Sequence, residues 1–180
     1  MDDPHPTLSR NHWIALVFTA LLGGLLFWID QFLKTPASPL GIISFELAKN
    51  VFRVSDIFQS WGAEGRAWAA WSLALDFPFL IAYSYAFSVL ASKTKSDIRQ
   101  LFVVGFLIAG MCDFIETSAL TGMLAGGVYP QLAAAAYYFA CLKFLLLFMG
   151  LAFLGSQVSL WAWAKIQQAA PAATPSRATK

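Results

Sequence analysis

Asp76, Asp113, Glu116 and Lys143 stand in the middle of long apolar runs. Each would cost about 2.5–3.5 kcal/mol at the centre of a membrane helix, so each needs partners and a reason. Counted inward at 1.5 Å per helical residue, all four lie roughly 13–18 Å below the same boundary. Asp113 and Glu116 are three residues apart and share one helix face. Tyr83 lies seven residues beyond Asp76, on the same side of its helix, and Ser72 one turn before it. Pro78 removes a backbone hydrogen bond just after Asp76, which predicts a kink.

Three carboxylates against one ammonium would leave a buried charge of −2 if all were ionised. A low-dielectric interior does not hold that charge, so a proton or a cation must enter. The expected arrangement pairs Lys143 with Asp113 or Asp76. Glu116, whose longer side chain reaches away from the Asp113–Lys143 axis, is then the proton carrier, general acid or cation ligand. The plainer alternative is that the lysine and acids only tie three helices together, as buried ion pairs do in some systems. The surplus of acid favours a site. Asp30, with Lys34 one turn on, is expected to form a solvated interfacial pair.

Much chemistry is excluded by what the spans lack. Both histidines, His5 and His12, precede the first apolar run, so no haem ligand pair lies within the membrane. Zinc-ligand spacing, phosphate loops, nucleophile elbows and dinucleotide fingerprints are missing, so no metal and no cofactor is expected. Cys112 and Cys141 sit in apolar runs without a C-x-x-C pair and are expected to be packing residues. A formal net charge of +2, with no basic run, gives no ground for a nucleic-acid partner. One short chain also offers no repeated ring for an ion-selective pore unless it oligomerises.

The elements that must position these residues are membrane helices. The chain is 58% hydrophobic and 12% charged, half the roughly 25% charge of a soluble domain, and its mean hydropathy is +0.62. Its 180 residues suit one domain. Spans of the required ~20 residues are predicted at 13–33, 67–91, 101–125 and 132–163, an all-α bundle of four transmembrane helices. The first is read as a retained helix and not a cleaved signal, because its apolar stretch is long and Asp2 and Asp3 precede it.

Seven Lys and Arg residues fall on the side of the termini: Arg10, Lys93, Lys95, Arg99, Lys165, Arg177 and Lys180. Only Lys34, Lys49, Arg53 and Arg66 fall opposite, which predicts both ends in the cytoplasm. Trp13, Trp161 and Trp163 mark the inner interface, and Trp28, Trp61, Trp68 and Trp71 the outer one. In the first outer loop, 41–61 is predicted as one amphipathic interfacial helix. Ile43, Leu47, Val51, Val54, Phe58 and Trp61 form its apolar face, Glu46, Lys49, Asn50, Arg53, Asp56 and Ser60 lie on the polar one, and Gly62 ends it. It is read as a lid that shields the helix ends, with a gate over the site as the sharper alternative. Residues 167–180 are predicted to be a disordered tail.

The pattern Leu75-Asp76-Phe77-Pro78-Phe79, Ala82-Tyr83, Asp113-Phe114-Ile115-Glu116 and Lys143-Phe144 resembles that of a family of small bacterial four-helix integral membrane proteins. The stretch Gly41 to Leu47 leading to Ser60-Trp61-Gly62 resembles it too. Those relatives carry Glu-Asn where this chain has Glu116-Thr117. The resemblance implies the fold and implies no activity. The leading expectation is thus a bacterial inner-membrane protein that binds a small amphipathic molecule, a proton or a cation at the acid–lysine cluster. One alternative is an enzyme acting on a lipid or isoprenoid by carboxyl general acid catalysis. Another is an accessory subunit, in a homo-oligomer or a larger membrane complex.

Overall fold

The computed structural model describes residues 9–169, and every regular element among them is a helix. Helix α1 covers Arg10–Asp30 and runs on through a 3-10 turn, Gln31–Leu33. After it come α2 (Ile42–Glu46), α3 (Val51–Ser92), α4 (Arg99–Gly126) and α5 (Pro130–Ala169). Four helices, all but α2, are long and apolar enough to cross a membrane. The helix α5 continues to Ala169, past the expected start of the tail at residue 167, and the rest of that tail lies outside the described residues.

Large apolar side chains face outward on all four long helices, among them Leu21, Phe27, Ile81, Met111 and Phe148. Water would not tolerate so much exposed apolar surface; lipid does. The long helices pack in chain order, α1 on α3, α3 on α4, α4 on α5. Small residues set the close approaches that membrane helices need. A Cβ at Gly110 of α4 would collide with the Ser84 hydroxyl of α3, and one at Gly150 of α5 with the Phe106 ring of α4. Pro78 does not break α3, whose one non-helical residue is Gly62 (φ 60°, ψ −158°).

The segment predicted as one amphipathic helix is two. Asn50 has extended dihedrals, and its side chain accepts a hydrogen bond from the Arg53 amide at 2.9 Å, so it caps a new helix, α3. The preceding residues then form only the short α2. At its start, Gly41 adopts φ 58°, and its missing Cβ leaves room for the Asp30 carboxylate, which accepts from the Ile42 amide at 2.7 Å. Asp30 does pair with Lys34, at 3.9 Å, but its shorter bond holds α2.

This split changes which side chains are buried. Ile43 and Leu47, assigned to the apolar face, are exposed, whereas Phe45 is fully buried with Val54, Ile57 and Trp61. The Trp61 indole donates to the Leu33 carbonyl at 2.8 Å and to the Ser38 hydroxyl at 2.9 Å, tying α3 to the end of α1. These residues join Leu73, Leu120 and Ala133 in one core at the α2 end of the molecule. A second core, Ala91, Phe106 and Phe153, lies toward the other end, where Phe102 stacks on Phe153 at 4.0 Å. The polar residues of α3, α4 and α5 lie between the two.

Candidate functional site

Lys143, in the first half of α5, is the hub of the polar layer. Its ammonium lies 2.9 Å from Asp113 Oδ1 and 2.8 Å from Glu116 Oε2, both on α4. At 3.5 Å it also meets Oε2 of Glu46, the last residue of α2. The Phe144 ring lies 4.7 Å from the same nitrogen. The other oxygen of Asp113 accepts from the Tyr83 hydroxyl of α3 at 2.8 Å, so this carboxylate has a donor on each side. Asp76 of α3 accepts from the Thr117 hydroxyl at 2.5 Å.

Helical spacing explains the convergence. Asp113, Glu116 and Thr117 occupy positions i, i+3 and i+4 of α4 and are all buried. They form a single polar strip, with Lys143 reaching its first two members and Asp76 its third. Buried polar groups need partners, and here four elements of the fold supply them.

The expected residues meet, with two changes of role. Lys143 pairs with Asp113, as expected, but Asp76 is not its partner. Glu116 does not reach away from the lysine; it makes the shortest contact, because Lys143 enters between two acids one turn apart and faces both. The acid that stands apart is Asp76, which is partly exposed. Two participants escaped the sequence reading. Thr117 is the donor to Asp76. Glu46 was assigned to a solvated face, and the signal that corrects it is Asn50, a cap residue that ends the presumed helix and frees α2 to turn.

With Glu46 included, one ammonium faces four carboxyl groups, a charge of −3 if all were ionised. Where protons reside is indicated by Glu116. Its side chain is 1% exposed, and neither carboxyl oxygen has a hydrogen-bond partner among the described residues. The Lys143 contact is close but off the hydrogen-bonding direction. Glu46 and Glu116 meet at the same ammonium, at 3.5 Å and 2.8 Å, and two carboxylates crowded on one cation repel each other unless one carries a proton. Burial pushes the Glu46 carboxyl above the usual carboxylate range, and the charge of Asp113 adds to this. The Lys143 ammonium opposes it.

Among the described residues, no group of three or more His, Cys, Asp or Glu side chains is arranged to hold a metal ion. The place a cation would take among these carboxylates is filled by the ammonium. Compared with protein-family models, curated proteins and solved structures, the chain matches none.

If the cluster is ionised as described, Lys143→Met strands carboxylates and lowers unfolding stability by about 3–5 kcal/mol. Lys143→Met combined with Asp113→Asn regains part of the loss. Reversible unfolding in mixed micelles measures both, and an unperturbed Lys143→Met protein would contradict the ion pair.

Proposed function

We propose that this chain is an integral protein of the bacterial inner membrane, both ends cytoplasmic, whose intramembrane cluster binds and releases a proton. The observation that carries this reading is the pair Glu46 and Glu116. One acid is wholly buried without a hydrogen-bond partner among the described residues, and the other meets the same ammonium from a different element. A proton shared between them gives each a partner and removes one unit of surplus charge. Lys143 and Tyr83 each donate to one oxygen of Asp113, which is the ammonium's fixed partner.

A proton fits this site better than the other ligands considered. A metal cation would have to displace Lys143 from its carboxylates. General acid catalysis on a lipid would need an acid that meets the substrate; Asp113 and Glu116 are sealed from the surface, and the partly exposed Asp76 is engaged by the Thr117 hydroxyl. Exchange of the shared proton requires a path to water. Of the two acids, Glu46 at the end of α2 is the more exposed, at 12% of its side chain against 1% for Glu116.

Two measurements test the reading. Infrared difference spectra of the protein in lipid, taken between acid and alkaline pH, are expected to show a protonated-carboxyl band that shifts in deuterium oxide. Glu116→Gln should remove that band, and Asp56→Asn should leave it. Spectra without a titrating carboxyl band, or with one indifferent to Glu116→Gln, would contradict the reading. The orientation is tested with cysteines placed at the exposed Leu40 and Gln100. A membrane-impermeant thiol reagent should reach the first from outside and the second only from the cytoplasmic face. The reverse pattern would overturn it.

A further inference from the structure

A groove of about 580 Å³ runs between α3 and α4 on the membrane-facing surface, at the α2 end. Its walls are apolar along most of their length, with Ala67, Ala70 and Phe77 from α3 and Thr121 and Leu124 from α4. Its one charged residue is Arg66, at the end near Gly62. We propose that this groove holds one acyl chain of an anionic phospholipid whose phosphate is bound by Arg66.

Length, size and charge lead to this occupant. From Arg66 to Phe77 the helix rises roughly 16 Å at 1.5 Å per residue. Half of the ~30 Å hydrocarbon core is about 15 Å, so the groove runs the depth of one leaflet. Its volume is within the ~300–1,000 Å³ range of ligand pockets and is narrowed by no large aromatic except Phe77 at its deep end. Arg66 donates through Nε to the Gly62 carbonyl at 3.0 Å, and its remaining N–H groups have no partner among the described residues. A guanidinium fixed at one point, with its fork free, at the headgroup level of a chain-length groove, matches a phosphate with a tail. Trp68 and Trp71, two and five residues farther along α3, belong to residue types that anchor at this level. A soluble anion would use the arginine and leave the groove empty, and a neutral lipid would use the groove and not the arginine.

The site is separate from the acid–lysine cluster and does not rest on its carrying a proton. Native mass spectrometry tests it, on the full chain exchanged into equal amounts of phosphatidylglycerol and phosphatidylcholine with identical acyl chains. The wild type is expected to retain the anionic lipid about fivefold over the zwitterionic one, as one arginine beside anionic lipid implies. Arg66→Gln should abolish the preference while lipid of both kinds is still retained. Ala70→Phe, at an exposed position, should reduce retention of both. Equal retention of the two lipids by the wild type would overturn the proposal. So would a preference that survives Arg66→Gln, or retention by a folded Ala70→Phe protein that equals the wild type.

Discussion

In hydrocarbon, Lys143 can keep its charge only if carboxylates surround it, and they in turn cannot all be charged. That pair of requirements organises the molecule. Asp113 is committed to the ammonium and to the Tyr83 hydroxyl, at 2.9 Å and 2.8 Å. The other acids must then settle their charge by sharing protons or by hydrogen bonding, as Asp76 does with Thr117. Because the participants come from α2, α3, α4 and α5, the cluster also fixes the register of those helices. The apolar cores on either side bring the backbones close, and the polar layer selects which residues face each other. A layer that served register alone would need one acid for its lysine; the surplus acids are what the proposed proton binding rests on.

The short helix α2 links the cluster to the surface. Five residues of helix have no stability of their own. The helix is held at its start by Asp30, which accepts from the Ile42 amide, in its body by the buried Phe45, and at its end by Glu46 on Lys143. The last of these holds is sensitive to protonation, since neutral Glu46 has less attraction to the ammonium. On the proposed reading, proton binding and the seating of α2 are coupled through one side chain. The coupling follows from electrostatics and needs no rearrangement of the long helices.

The spans were legible because hydrocarbon imposes a length and a composition that few other solvents would accept. Asp76, Asp113, Glu116 and Lys143 were legible for the same reason, as charges where charges are costly. Partner choice was not, since the helical period shows that Asp113 and Glu116 share a face but not where Lys143 enters between them. Glu46 was hidden by a periodicity that holds across 41–61 in the sequence although the backbone breaks within it. Asn50, a poor residue for a helix interior and a good one for a cap, contains the correction. Thr117 was read only as a departure from Glu-Asn relatives, and its hydroxyl gained meaning from a donor–acceptor distance to a residue 41 positions away.

The central claim is that the folded protein holds protons that the unfolded chain gives up at neutral pH. Unfolded carboxyl groups lose their protons near pH 4, so a native state that keeps them is favoured by acid. For Glu46, raised by burial, the contribution to stability is complete below the ordinary carboxylate range and is lost as pH rises toward its folded value. The measurement is the free energy of reversible unfolding in mixed micelles from about pH 5 to pH 8, with slope about 1.4 kcal/mol per pH unit for each retained proton. The account predicts that stability falls across this range and that Glu46→Gln flattens the fall. Stability that rises or stays level with pH in the wild type would show that the cluster is fully ionised and would contradict the account.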